Sequence, residues 1–299
     1  MDEGRSTMKH KGVVTILTLL IAVLVLFSTG MGLFYNSPED KVGRDEKVYV
    51  QSIYGEKVQL EGKGLYRHDS VSGAAQEKGQ DTVSLVVAVP ILLLALTMFR
   101  KGKLKGQLLL AGMYGYFLYT YASMSFLTMY NQLFLVYVAL FSMSLFGFVM
   151  ILMGIDRGKL SRSTKPKMPR RLLGGTLLFV AVMLSMMWLG RIVPSLTAGG
   201  APVGLEHATT LVIQVLDLGI VVPACVLIGI LVLKRDPFGT MLASVFIIKA
   251  AMLITAIEAM IFMMARSGVP INPVEVVVFG IFGALAYLCL VQLLRNIEG

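Results

Sequence analysis

Blocks of roughly 20 apolar residues recur along this chain, separated by short polar turns. Twenty residues of helix span a ~30 Å hydrocarbon core. No water is present there to satisfy backbone polar groups, so the blocks must be helices. The composition agrees: of 299 residues, 56% are hydrophobic and only 15% charged, against about 25% charged in soluble domains. These features define an all-α, polytopic membrane protein embedded in a lipid bilayer.

Eight transmembrane spans are predicted, at about 13–34, 81–99, 106–124, 131–155, 172–190, 206–233, 238–265 and 274–294. The chain divides into a tail with the first span (1–34), a polar segment (35–81), spans two to four (82–155), a basic loop (156–171) and spans five to eight (172–299). A basic start followed by an apolar stretch also describes a signal peptide. The first apolar run is longer than such a core and lacks a clear small-x-small cleavage site, so it reads as an uncleaved anchor.

The net charge of +9 is distributed topogenically and does not form a nucleic-acid surface. With the N-terminus inside, 17 of the 27 Lys and Arg fall in inner segments and nine in outer ones. Seven of those nine belong to the acidic 35–81 segment, and Lys249 lies within a span. Every short loop obeys the positive-inside rule, which places both termini in the cytoplasm. The seven cations of 157–171 also suit anionic lipid headgroups, beside their plain topogenic reading. Tyr114, Tyr116, Tyr119, Tyr121 and Tyr130 fit an aromatic belt at the outer interface.

The 35–81 segment is the sole sizeable polar stretch and reads as a small extracytoplasmic lobe. Val48-Tyr49-Val50 and Val58-Gln59-Leu60 flank Tyr54-Gly55-Glu56-Lys57, the pattern of a β-hairpin. With no cysteine it cannot bury much core alone, so it is expected to lie on the helices. The two cysteines, Cys225 and Cys289, sit inside predicted spans, which argues against a disulfide framework.

An offset of 133 residues aligns Pro90 with Pro223, Gly106 with Gly239, Leu85 with Leu218, Val89 with Val222, Lys101 with Lys234 and Leu109 with Leu242, without a gap. Spans two and three would then repeat as spans six and seven. That is a parallel four-plus-four arrangement of the kind found in some transporters. The competing reading is chance among spans rich in Leu and Val.

Asp217, Lys249 and Glu258 are ionisable residues at membrane depth. Each costs at least ~2.5–3.5 kcal/mol on insertion scales and marks a functional-site candidate. Counted from the predicted helix ends, Asp217 and Lys249 both lie ~16 Å deep. Adjacent antiparallel helices would bring them together as an ion pair. Pro223 removes a backbone donor beside Asp217, and Pro90 does the same in span two. The pair reads as a structural lock or as an ion or proton relay. Glu258, nine residues after Lys249, points to the opposite face and ~13 Å nearer the outside. With Gln214 at similar depth it would line a polar vestibule, or else bond a neighbouring helix.

The methionine triplets Met183/Met186/Met187 and Met260/Met263/Met264 have thioethers suited to Cu(I). They are also ordinary adaptable packing, and no Cys or His cluster supports a metal site. In the lobe, Tyr66, Arg67, His68 and Asp69 are binding candidates. His68, Asp69 and Ser70 are consecutive, so they do not converge as a catalytic relay. No phosphate loop, zinc spacing or dinucleotide fingerprint appears, so no catalytic residue and no cofactor is assigned.

Gly64-Leu65-Tyr66 with Asp69-Ser70, Gly79-Gln80-Asp81 entering a span with Pro90, Asn131 with Phe134-Leu135, and Asp217-Leu218-Gly219 with Val222-Pro223 form a recurrent set. On these motifs the chain resembles a group of prokaryotic multi-helix membrane proteins of unassigned function. The resemblance implies a prokaryotic plasma membrane, and that the polar segment and spans two and six form one unit. It implies no activity. The residues themselves point first to a transporter-like, ion-coupled permease built on Asp217 and Lys249. The rival is a membrane scaffold or sensor that binds a partner through the 35–81 lobe.

Overall fold

The computed structural model describes residues 2–36 and 47–298, with side chains from Lys11 onward. Residues 37–46 of the polar segment lie outside the described residues. The helices are α1 (Asp2–Phe34), α2 (Val71–Arg100), α3 (Leu104–Phe126), α4 (Phe134–Met153), the short α5 (Arg157–Ser163), α6 (Arg170–Ala198), α7 (Val212–Leu233), α8 (Pro237–Arg266) and α9 (Pro273–Asn296). Between α1 and α2, β1 (Tyr49–Gln51) pairs antiparallel with β2 (Lys57–Gln59), with Val50 opposite Val58. Gly55 takes φ +84 in the connecting turn, a conformation that glycine adopts without steric cost.

Seven of these helices are long and apolar enough to cross a membrane: α1 from Lys11, then α2, α4, α6, α7, α8 and α9. Helix α3 has membrane length at 23 residues but a different composition, and the packing explains why. It is wrapped by α2, α4 and α8, so it needs little lipid-compatible surface and can carry tyrosines. The expected aromatic belt is accordingly corrected. Tyr114, Tyr116 and Tyr121 are buried within the bundle, and only Tyr130 is exposed, at 79%. Their hydroxyls bond Thr18 on α1, Ser84 on α2 and Ser28 on α1.

Two helix boundaries also differ from the hydropathy reading. Helix α2 starts at Val71, ten residues before the predicted 81, because Ser70 caps it by accepting from the Gly73 N–H. Residues 71–80 are too polar for a hydropathy window, yet Ala74, Ala75, Gly79 and Gln80 are buried. Helix α6 continues through Pro194 to Ala198, and α7 begins only at Val212, so residues 199–211 form a loop.

The 133-residue offset recurs in the backbone. A π-helical turn occupies Ser84–Ala88 in α2 and another occupies Asp217–Val221 in α7; the two are 133 residues apart at both ends. In each, the N–H two residues past the next-to-last position of the turn bonds five residues back: Val89 to the Ser84 carbonyl, Val222 to the Asp217 carbonyl. The cause is Pro90 and Pro223, which lack an N–H and crowd the preceding turn; one extra residue per turn relieves the clash, and such bulges cluster at functional sites.

The corners that follow repeat as well. Gly102 has φ +74 and its counterpart Arg235 has φ +62. Gly106 lies against Met98 and Phe99, and Gly239 lies against their counterparts Leu231 and Val232. The halves even share a contact plan: α1 packs on α2 and α4 and α3 on α2 and α4, just as α6 packs on α7 and α9 and α8 on α7 and α9. They meet where Gly112 of α3 sits against Ile248 and the Val245 carbonyl of α8; Val245 is the counterpart of Gly112. Small residues at such crossings let membrane helices approach closely.

One end of the bundle carries the hairpin. The other carries the basic turns 100–105, 157–171 and 234–235. At this basic end Thr164 bridges Ile297, and Lys165 Nζ lies 3.8 Å from Glu298, which ties the loop between the halves to the far end of α9.

Candidate functional site

Asp217 is the first residue of the second π turn and is 7% exposed. Both carboxylate oxygens are satisfied: Tyr119 Oη donates to Oδ1 at 2.7 Å and Trp188 Nε1 donates to Oδ2 at 2.9 Å. Lys249, also 7% exposed, places Nζ 4.2 Å from the Tyr119 ring centroid and 5.4 Å from that of Phe246. An ammonium over aromatic faces is attracted by the ring quadrupole, and more strongly when desolvated.

The expected direct ion pair between Asp217 and Lys249 is not formed, although the two groups lie within Coulombic reach. Tyr119 stands between them, with its hydroxyl on the acid and its ring under the base. The reason is depth. With α7 starting at Val212, Asp217 lies sixteen residues from the end of α7 at Leu233, about 24 Å from the basic end. Lys249 lies twelve residues after Pro237, about 18 Å from that end. The difference of about one helical turn is filled by the tyrosine.

Gln214 is buried one turn before Asp217. Pro90 and Pro223 each close a π turn. Glu258 stands apart: it is exposed on α8 and its Oε1 abuts Gly283 on α9. It faces the last helix and not the Tyr119 site.

The first half holds an uncharged version of the same site. The counterparts of Asp217 and Lys249 are Ser84 and Tyr116, whose hydroxyls bond directly at 3.0 Å. Gln80 Nε2 joins them, donating to Tyr116 Oη at 2.5 Å and Thr120 Oγ1 at 3.2 Å.

A second cluster lies under the hairpin, and sequence reasoning missed its core. Tyr66 is buried and donates from Oη to Asp81 Oδ2 at 2.6 Å. Thr128 donates to Glu77 Oε1 at 2.6 Å, and the Met129 N–H donates to Asp69 Oδ1 at 2.9 Å. Ser70 Oγ donates to Glu206, and His207 Nε2 bonds the His68 carbonyl at 2.9 Å. Arg67 Nε donates to the Gly64 carbonyl at 3.3 Å. Burial pushes the Asp69 carboxyl up to about 7; the Met129 N–H opposes that rise and the charge of Glu206 adds to it. Burial, then the charge of Asp81, holds the Tyr66 hydroxyl well above its ordinary value. The missing signal was legible. Glu77 and Asp81 are four residues apart, so reading 71–80 as helix puts both on one face.

Compared with protein-family models, with curated proteins and with solved structures, the chain matches none. Fold and composition alone define the class, a polytopic integral membrane protein of helices embedded in a lipid bilayer.

Proposed function

We propose that this protein is a transporter-like, ion-coupled permease of a prokaryotic plasma membrane. It crosses the bilayer eight times, α3 included, with both termini and the basic end in the cytoplasm and the hairpin outside. The observation that carries this reading is the Asp217–Tyr119–Lys249 arrangement at the second π turn. Charge retained at membrane depth is costly and marks ion pathways, and a helix irregularity beside it is how transporter sites are built. The first half has the same turn without the charge, so the second half is the working half.

Flux measurements on reconstituted vesicles test this. Asp217→Asn and Lys249→Met are expected to abolish proton or sodium flux while the protein still folds. Unchanged flux in both variants overturns the reading.

A second reading has its own support. A cavity of about 350 Å³ is lined by Arg171, Phe179, Ile281 and Leu285, and one of about 190 Å³ by Lys11, Lys103 and Lys159. Ile53 and Tyr54 at the hairpin tip are 80% and 52% exposed. An exposed apolar hairpin tip is what a scaffold or sensor binding a partner there would present. Retention of a partner by the wild type and its loss in Ile53→Ser/Tyr54→Ser, with no flux in either, would establish that alternative.

A further inference from the structure

We propose that Asp69, Glu77 and Asp81 form a proton-binding site where the hairpin segment, α2 and the α3–α4 turn meet. This site is separate from Asp217, and it stands whether or not Asp217 carries flux.

The three carboxyls follow one another inward from the hairpin end. Asp69 is 6% exposed and Asp81 1%, and Glu77, between them, feels the charge of both. Glu206 adjoins Asp69 at the mouth, so four carboxyls lead from the surface to the core. Among the described residues no lysine or arginine forms an ion pair with the buried Asp69 and Asp81 or the half-buried Glu77. Lys78, the nearest cation on α2 in sequence, is turned away to Glu61 at 2.5 Å.

Buried carboxylates without a counter-ion are too costly to keep charged, and they neutralise by taking up protons. The hydrogen bonding leaves room for that. Each acid accepts a donor on one oxygen, from Tyr66, Thr128 or Met129. Asp69 Oδ2 is buried without a partner, and the buried Tyr137 hydroxyl, set between Tyr66 and Asn131, adjoins the same cluster. A carboxyl oxygen nine-tenths buried and left without a donor is where an added proton would sit.

The groups that face the site come from several neighbouring elements, and α8 lays Ala259 and Met260 against Gly79 of α2. Helix α1 offers Gly32, which brings bare backbone against Asp81. Tyr66 belongs to the hairpin segment, Tyr121 to α3 and Tyr137 to α4, and each of the three feels the charge of Asp81. The tyrosine hydroxyls carry no charge near pH 7, so the carboxyls repel one another and titrate as a coupled group, each proton lost making the next harder to remove.

Sodium could replace a proton in the same place, and the test separates the two. The full chain in lipid nanodiscs is titrated by infrared difference spectroscopy, following the C=O stretch of protonated carboxyls. The expected result is a band that persists at pH 7 and declines above it. Asp69→Asn, Glu77→Gln and Asp81→Asn should each remove one carboxyl's share and shift the remainder to lower pH, since a like charge has gone. Addition of sodium at fixed pH and ionic strength should leave the band unchanged; a fall would overturn the proton assignment in favour of a metal cation. Absence of the band at pH 7 in the wild type overturns the site altogether, and that measurement needs no variant to fold. An unchanged titration in Asp217→Asn, whatever its flux, separates this site from the permease reading.

Discussion

The Tyr119 hydroxyl donates a 2.7 Å hydrogen bond to Asp217, and the same ring lies 4.2 Å from the Lys249 ammonium. One side chain therefore stabilises both buried charges by different physics. Tyr119→Phe keeps the ring and removes the hydroxyl, leaving Asp217 Oδ1 without a donor. The expected loss is about 1.5–3 kcal/mol, the worth of a hydrogen bond to a charged group. Tyr119→Leu also removes the ring, which adds about 0.5–2 kcal/mol. Thermal unfolding of the purified variants in nanodiscs measures both steps, and a Phe variant as stable as the wild type would remove the tyrosine from its bridging role.

Gly32 and Asp81 depend on each other. A Cβ at position 32 would stand 1.8 Å from Asp81 Oδ2 and 2.7 Å from Tyr66 Oη. Gly32→Ala must push apart a hydrogen-bonded pair that is itself buried, an overpacking cost of about 1–3 kcal/mol. In an Asp81→Ala background the obstacle is gone and the same substitution should cost little. A double-mutant cycle on unfolding free energies is therefore expected to show coupling of about 0.5–3 kcal/mol. Additive costs would mean that α1 and α2 do not meet there.

Hydropathy located the long apolar helices because lipid exposure imposes it directly on their sequence. It located α3 for another reason: its apolar residues remain frequent even though Tyr114, Tyr116 and Tyr121 serve buried hydrogen bonds. The same pattern of amphipathic rings suits an interface and a polar core, and only the neighbours decide between them. The start of α2 was hidden because Val71–Gln80 faces protein and polar segment instead of lipid, so no hydropathy signal was required. Asp217 and Lys249 stood out as charges in apolar runs. Tyr119 and Trp188, which link and anchor them, come from α3 and α6, and no local pattern joins those helices to α7. The π turns were legible only as Pro90 and Pro223 at equal spacing, since a proline marks where a helix is broken but not how it is repaired.

The repeat makes a quantitative claim at the corner after each π-turn helix. Gly102 has φ +74 and Arg235, its counterpart, φ +62. A side chain in this region costs about 1–2 kcal/mol. Gly102→Ala is expected to lose that amount, less about 0.5–1 kcal/mol recovered by restricting the unfolded chain. Arg235→Gly should relieve it, less about 0.5–1 kcal/mol for the extra freedom of the unfolded glycine, a net gain of about 0–1.5 kcal/mol. Chemical denaturation of the two variants against wild type checks the pair. Equal destabilisation by both would show that the corners are not equivalent.

Asp69 sets a pH dependence whose sign follows from its surroundings. Burial raises its carboxyl from the ordinary 3.8 to about 7 in the folded protein, so the folded state binds this proton more tightly than the unfolded state does. The contribution to stability is fully present below about pH 4. It is lost as pH rises through the folded value. Three pH units of difference correspond to about 4 kcal/mol. Asp69→Asn keeps an oxygen for the Met129 N–H and presents an amide toward Glu206, without a charge to bury. The variant should match the wild type near pH 4 and exceed it increasingly toward pH 8. Following unfolding free energy against pH for both proteins reads this carboxyl together with its coupling to Glu77 and Glu206, whose repulsion is relieved in the variant. A gap that stayed constant with pH, or a wild type that gained stability toward pH 8, would mean that Asp69 is charged and solvated in the folded protein.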